Sequence, residues 1–474
     1  MIRRLVLSAS AAIAGLLMLA CAPGTPSEQP TGAFTQANPV DSVQLAQPVE
    51  ILFWHRQTGT SQDLQQKLID EFNAKNQWKI KVTAESLVDY NRLYQKILAA
   101  VQAGATPDVV AAFENQAGDY YDAGAVVPFD DYIASKTWGL NENDLKDHVP
   151  AFLEATKFPQ YNNARLTFPY TKSDLVLYTN LEVLRSLGFE KPAATWDEFL
   201  AHTRKAVAAG KQGYALGVSA STFDGIVFSF GGDVVSADGK KVLFDQSASL
   251  KTLQLYDTMA KEKLAYQIQG NDDTADLAAG KALYAIRSST NVPFLKRQFN
   301  DDTADLAAGK TLYAIRSSTS VPFLKRQFGD DSKWDVTVLP QGHTGRPATV
   351  LFGANISIMK STPERQLASW LFIKWFSEKE QTARWGLDIS NGYFPIRQSA
   401  LAEPSAKAFL DANPNFKKAL DISAYGRVEP SIRGWQEIRS VIQDGVTGVI
   451  TGKLTAQQAA QQMMERSNKI LSEL

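Results

Sequence analysis

Cysteine is nearly absent from this 474-residue chain, where Cys21 is the only one. No internal disulfide can form, so the fold must rest on its hydrophobic core. Histidine is scarce as well. His55, His148, His202 and His343 are scattered, with no paired His or Cys at metal-ligand spacing, which argues against a zinc site. No metal or other cofactor is expected. Neither charge sign dominates: 49 Lys and Arg stand against 50 Asp and Glu, a net charge of −1. The basic footprint of a nucleic-acid binder is therefore missing. Enzyme signatures are missing too, including G-x-S-x-G, H-E-x-x-H, the P-loop and the Rossmann glycine pattern. Carboxylates such as Glu114 and the Asp130-Asp131 pair could in principle serve a glycosidase, but nothing in their spacing pairs them. Asp130-Asp131 fits the start of a helix better. The chain reads as a non-enzyme. Past the N-terminus no apolar run is long enough to cross a bilayer.

What is present begins with an export signal over residues 1–21. Arg3 and Arg4 supply its positive end, residues 5–19 a short apolar stretch, and Ala20-Cys21 a cleavage site. The apolar stretch is shorter than the ~20 residues of a spanning helix. A thiol placed only there resembles the acylated cysteine of a bacterial lipoprotein, which makes Cys21 the expected lipidation site. An ordinary signal peptide with an incidental Cys is the alternative. Residues 22–47 are rich in Pro, Ser, Thr and Gln with few large apolar side chains, and such a segment reads as a flexible tether.

Order is expected from Val49-Glu50-Ile51-Leu52-Phe53, a strand. Leu64, Leu68 and Phe72 recur every four residues, a helix with Ser61 as its N-cap. Ile80 and Val82 alternate with lysines in a second strand. Leu93, Ile97 and Val101 mark a second helix, stopped by Gly104 and Pro107, and Asp108-Val109-Val110 opens a third strand. This alternation predicts an α/β fold with a largely parallel sheet. The pattern returns with a strand at Val176-Leu177-Tyr178, a helix from Leu181 to Leu187 closed by Gly188, and a Thr195–Glu198 capping box opening another helix. Leu367, Leu371 and Trp375 define an amphipathic helix, and the chain from Ile438 on reads as mostly helical.

One feature is abnormal. Residues 271–299 are followed at once by residues 300–328, which repeat them except that Ala282 becomes Thr311 and Asn291 becomes Ser320. Two copies are too few for a solenoid, so this reads as a tandem duplication inside one domain, with a sequence-assembly error as the alternative. Only one copy can occupy a given sheet slot. The spare copy's half-dozen large apolar residues, left unburied, would forfeit roughly 1.5–3 kcal/mol each.

The ordered set FWH, LQQKLIDEFNA, AAVQAGATPDVV, DAGAVVPFDDYI, FPYTKSDLVLYTN, PAATWDEF, LAAGKALYAI, WDVTVLPQG, FGANISIMKST and NGYFPIR resembles family 1 extracellular solute-binding proteins. These are the substrate-capturing components of ABC importers for sugars and glycerol-phosphate compounds. The resemblance covers the chain from about Val49 to Leu474, and the family carries a single copy of the repeated block. It implies a two-lobe α/β periplasmic-binding-protein-like fold of type II, with crossover hinge strands near residues 171–176, 334–339 and 388–394. Lobe one would comprise 48–172 plus 338–387, and lobe two 173–337 plus 388–474. The implied partners are a sugar or glycerol-phosphate ligand and membrane permease subunits, with a monomer lipid-anchored at the outer face of the cytoplasmic membrane or free outside it.

By the same resemblance the ligand-binding candidates are Trp54, His55, Tyr90, Glu114, Ser173, Ser288, Ser317, Gly353, Tyr393, Arg433 and Trp435, with Lys172 an alternative to Ser173. Trp54 would stack on a sugar face. Glu114 would bind hydroxyls, and Ser173 or Lys172 would reach a ligand oxygen from the first crossover. Ser288 and Ser317 are twins in the two repeat copies, and either could face the cleft. Gly353 allows close backbone approach, and Tyr393 offers ring and hydroxyl at the third crossover. Trp435 would be a stacking plate. Arg433 would donate to hydroxyls or clamp a phosphate, but the family's phosphate-binding arginine aligns with Ser431, two positions earlier. A neutral carbohydrate is therefore the expected ligand, with glycerol-3-phosphate or its diesters as the alternative.

Overall fold

A computed structural model describes residues 38–474 apart from 88–89, 217, 268–305, 310, 322–324, 326–327, 329–330, 344 and 389–390. The signal, Cys21 and the first repeat copy, including Ser288, lie outside the described residues. Strands β1 (Val49–His55), β2 (Ile80–Ser86), β3 (Val109–Ala112) and β4 (Val126–Val127) belong to one sheet. Their intervening helices are α1 (Gly59–Lys75), α2 (Tyr90–Ala103) and α3 (Glu114–Asp122). β1 pairs in parallel with both β2 and β3, the arrangement that helical crossovers impose.

The four-residue spacing in α1 does bury Leu68 and Phe72, but the helix starts earlier than Ser61. Thr58 is its N-cap, and the Ser61 hydroxyl instead donates to Asn391 Oδ1 at 2.9 Å. Asp130 and Asp131 do open a short helix, where Asp130 accepts from the Arg165 backbone N–H at 2.8 Å.

The chain then runs through a β5–β6 ribbon (Lys157–Phe158 with Ala164–Arg165) and β7 (Phe168–Pro169) into β8 (Ser173–Asn180), the centre of a second sheet. Every residue of β8 is buried, which explains why its apolar run does not alternate. Helix α4 (Trp196–Ala208) opens with the expected capping box, Thr195 and Glu198 capping each other's backbone N–H groups. It leads to β9 (Gln212–Leu216), α5 (Ala220–Ser229), α6 (Ser247–Lys261) and β10 (Ala265–Gln267).

The second repeat copy supplies β11 (Thr311–Ser317), parallel to β9 and antiparallel to β8. Leu312, Tyr313 and Ile315 are fully buried there. β12 (Trp334–Thr337) and β13 (Thr349–Phe352) then pair antiparallel with β8. β14 (Asn355–Met359) returns to the first sheet, antiparallel to β3, β4 and β7. Both sheets are thus mixed rather than largely parallel, because the strands that arrive from the other lobe run against their neighbours. Helices α7 (Pro363–Phe376) and α8 (Lys379–Gly386) cover the first sheet. Helix α9 (Pro414–Ile422), strand β15 (Gly426–Val428) and helices α10 (Trp435–Ile450) and α11 (Ala456–Ser472) complete the second lobe.

The cores locate the crossings. Tyr170 packs in the first core and Leu175 in the second, Val350 in the second and Ala354 in the first. Tyr393 closes the first core, while Phe394 enters a third cluster on the opposite face of β8. The second crossing therefore falls at Phe352–Asn355 and not at residues 334–339. Residues 338–352, expected in lobe one, run with the second sheet, because β12 and β13 find their hydrogen-bonding edges on β8.

Candidate functional site

The three crossings are tied side by side at the backbone. The Thr171 N–H donates to Ala354 O at 2.9 Å, and the Phe394 N–H to Lys172 O at 2.8 Å. Gly353 has φ +117°, and a Cβ added there would lie 1.8 Å from Thr171 O. Only glycine fits. Around this bundle the chain places two groups of buried polar side chains.

The first group centres on Arg56, directly after β1. Its guanidinium donates to the Tyr393 hydroxyl at 3.1 Å and stands 5.3 Å from the centre of the Tyr90 ring. Tyr393 stacks on Trp385, with centroids 5.9 Å apart and planes 12° apart. Tyr90, the first residue of α2, leans on Phe113 at 4.4 Å, and burial raises its phenol well above the usual range. Three chain segments distant in sequence thus meet at one buried cation.

The second group joins Lys172, on the first crossing, to Glu114, the first residue of α3. Lys172 Nζ lies 3.3 Å from Glu114 Oε1, which also accepts from Asn355 Nδ2 at 2.9 Å. Burial lowers the Lys172 pKa, and Glu114 acts against that shift. Beside them Ser173 is buried opposite Phe352. The Asp174 N–H donates to Ser318 Oγ at 3.1 Å. Neither Asp174 carboxyl oxygen has a hydrogen-bond partner among the described residues, and burial pushes its pKa up to about 8. Ser317 pairs across from Leu175 on β8, and its hydroxyl accepts from Thr319 Oγ1 at 3.0 Å.

The structure therefore brings together Tyr90 with Tyr393, and Glu114 with Lys172, close to Ser173, Gly353 and Ser317. Trp54 and His55 end β1 but are buried. Trp54 has Lys96 Nζ over its ring at 4.0 Å. His55 Nδ1 accepts from the Gln57 N–H at 3.0 Å, and burial, helped by Arg56, lowers its pKa to about 4. It is a neutral imidazole.

Two candidates lie elsewhere. Trp435 is fully buried in the core of the second lobe, since the first turn of α10 points it inward, so it is no stacking plate. Arg433 is about half exposed and pairs with Asp122 of the first lobe at 3.3 Å, while also donating to Leu474 O at 2.8 Å. It joins lobes rather than clamping an anion beside Arg56. Neighbouring contacts do the same: Asn115 Nδ2 donates to Gln436 Oε1 at 2.9 Å, and Gln160 Nε2 to Ser431 O at 2.5 Å. Sequence reasoning missed Arg56 and Asp174. The available signal was adjacency, since each immediately follows a residue already singled out.

Comparison with known proteins agrees with this architecture. The profile of the family described as bacterial extracellular solute-binding protein matches residues 67–418. The sn-glycerol-3-phosphate-binding periplasmic protein UgpB of Agrobacterium fabrum is 26% identical over 34% of this chain and 36% of its own length. The chain thus spans about a third of that relative in the matched region. Among solved structures, the cyclic alpha-maltosyl-1,6-maltose binding protein of Arthrobacter globiformis superposes with a TM-score of 0.72 at 17% identity. It covers 90% of this chain and 100% of its own. UgpB of Mycobacterium tuberculosis, in complex with glycerophosphocholine, gives 0.70 at 21% identity over 90% and 99%. At these identities the structures speak for the fold alone: two α/β lobes of the type II binding-protein kind. No helix among the described residues is long and apolar enough to cross a membrane.

Proposed function

Because the chain belongs to the bacterial extracellular solute-binding protein family, we propose that it captures a sugar outside the cytoplasm and hands it to the permease subunits of an ABC importer. The observation that carries this reading is the pair of buried polar groups at the crossings, Arg56–Tyr393–Tyr90 and Glu114–Lys172–Asn355. A carboxylate that accepts, an ammonium that donates and phenols that do both are the set that ring hydroxyls require. Aromatic faces beside them suit the apolar side of a sugar ring. A ligand touching both lobes would stabilise the closed form, the differential contact that a hinge closure needs. Ser173, Ser317 and the backbone at Gly353 complete the proposed site.

A second reading, glycerol-3-phosphate or its diesters, is supported by the likeness to two UgpB proteins, one an sn-glycerol-3-phosphate-binding protein and the other seen in complex with glycerophosphocholine, and by the buried Arg56 cation. We place the protein as a monomer held by an acyl group on Cys21 at the outer face of the membrane. Residues 22–37 serve as its tether, keeping it near its permease by raising local concentration; residues 38–43, expected in the tether, instead pack on the first lobe, with Val40 in its core and Asp41 accepting from Ser135 Oγ at 2.5 Å. Lobe one is assigned to 48–172 and lobe two to 173–337, with the remainder divided as the sheets divide it.

The test is thermal unfolding of the mature chain with a panel of sugars and glycerol phosphates. A ligand at ~100 times its dissociation constant adds about 2.7 kcal/mol to folded-state stability. A rise with one sugar supports the reading, whereas a rise confined to glycerol phosphates selects the second. If Glu114→Gln and Arg56→Gln both leave the sugar affinity unchanged, the site is elsewhere.

A further inference from the structure

The seam between the lobes carries contacts that capture of a solute does not by itself require. Helix α3 brings Glu114 to the proposed site at its first residue, and further along it lies against the start of α10. Asn115 Nδ2 donates to Gln436 Oε1 at 2.9 Å. A Cβ at Gly118 would lie 3.5 Å from Ser431 O, which also accepts from Gln160 Nε2 at 2.5 Å. Asp122, the last residue of α3, pairs with Arg433 at 3.3 Å. All of these contacts join lobe one to lobe two, and none uses Glu114, Lys172 or the Arg56 group.

Beside these ties the seam holds opposing charge. Asp119, Asp122, Arg433, Glu437 and Leu474 line one cavity of about 310 Å³ at the junction. Two carboxylates from lobe one and one from lobe two thus meet a single guanidinium among the described lining residues. Arg433 is committed to Asp122 and to Leu474 O, which leaves Asp119 and Glu437 as like charges on opposite sides of the seam. The Tyr94 hydroxyl of α2 donates to Asp119 Oδ2 at 3.0 Å. Asp122 and Arg433 also act on Asp119, and Tyr161, between β5 and β6, faces both aspartates. Burial pushes the Asp119 carboxyl up to about 6; the Tyr94 hydrogen bond opposes that shift and Glu437 adds to it.

We infer that the seam between α3 and α10 is a proton-sensitive latch, in which Arg433 ties the lobes together while Asp119 and Glu437 push them apart, so that the lobes close more readily once Asp119 is protonated. This rests on the solute-binding reading above, in which the lobes open and close, and adds a control that does not depend on which ligand is bound. Opening the seam would return Asp119 to solvent and separate it from Glu437, so its carboxyl would titrate nearer the ordinary 3.8. Closure then takes up a proton, and its gain is complete below about pH 4 and lost as pH rises through about 6. A partly exposed ion pair such as Asp122–Arg433 shifts an equilibrium only about two- to fivefold, enough to bias a hinge without locking it. Because α3 carries Glu114 as well as Asp119 and Asp122, the latch and the ligand group move on one helix.

The experiment is small-angle X-ray scattering of the full mature chain without added ligand at pH 5 and pH 7.5, repeated for Asp119→Asn, Asp122→Asn and Arg433→Gln. The native closed-to-open ratio is expected to fall by up to about tenfold from the lower pH to the higher, read as a rise in the radius of gyration. Asp119→Asn should stay compact at both. Asp122→Asn and Arg433→Gln should each shift the ratio towards the open form about two- to fivefold, and the double variant no further, since both remove one tie. Arg433 is half exposed, so Arg433→Gln carries the test if an α3 variant does not fold. A native radius that ignores pH, or an equal pH response in Asp119→Asn, overturns the inference. A native-like radius in folded Arg433→Gln overturns it too. No ligand enters these measurements, so each of those results leaves the solute-binding reading standing; that reading fails separately, if no sugar or glycerol phosphate raises Tm.

Discussion

Deleting residues 271–299 tests how the fold uses a duplicated segment. The second copy fills the slot between β9 and β8, where Leu312, Tyr313 and Ile315 are completely buried. The deletion leaves that strand untouched. It shortens the connection from Gln267 at the end of β10 to Thr311 at the start of β11 from 43 residues to 14. Loop-closure entropy scales with the logarithm of length, so the shortened chain gains about 1 kcal/mol. For a cooperative unit the size of one lobe, this is a rise of roughly 2–4 °C in Tm. The reciprocal deletion of 300–328 would bring the first copy into the same slot, with Ala282 in place of Thr311 and Asn291 in place of Ser320. Ala suits a strand less well than the β-branched Thr, by up to about 1 kcal/mol. Thermal melts of the two deletions side by side should therefore rank the first at or above the native chain, and above the second. A fall of several degrees in the 271–299 deletion, or its aggregation, would refute the reasoning and show that the first copy contributes packing of its own.

Further outcomes follow from single residues. Gly353→Ala forces a side chain onto Thr171 O at a φ of +117°, and should cost roughly 2–5 kcal/mol in chemical denaturation. No loss would mean the crossings part easily. His148 is buried and its pKa is lowered to about 4, chiefly by desolvation. The unfolded imidazole then binds a proton near pH 6.5 that the folded one refuses, so its contribution to stability falls as pH drops from 6.5 towards 4. His148→Asn should reduce the loss between pH 7 and pH 5 by about 2 kcal/mol, and an identical pH profile would exclude the assignment. Asp174 acts in the opposite sense. Its carboxyl is raised to about 8 by burial, so the native state is penalised increasingly as pH rises from about 4 to 8. Asp174→Asn should gain on the native protein over that interval, and a constant difference would show that Asp174 ionises normally.

Local pattern made much of this protein legible. The four-residue spacing of Leu64, Leu68 and Phe72 does mark α1, Thr195 and Glu198 do form a capping box, and the apolar run at Val176-Leu177-Tyr178 is a buried central strand. Such features depend on neighbours a few positions apart, which sequence displays directly. The family, too, was readable from an ordered series of short motifs. Tertiary structure decided the rest. It seated the second repeat copy in the sheet and moved the second crossing to Gly353. It also turned Trp435 into a core and Arg433 towards Asp122, and set Arg56 against Tyr90 and Tyr393. Each of those outcomes depends on which strand finds a free hydrogen-bonding edge, or on which side chains from remote segments are desolvated together. Neither is a property of any short stretch of chain. A strand's period of two says that one face will be buried, but only the assembled sheets determine which neighbour buries it.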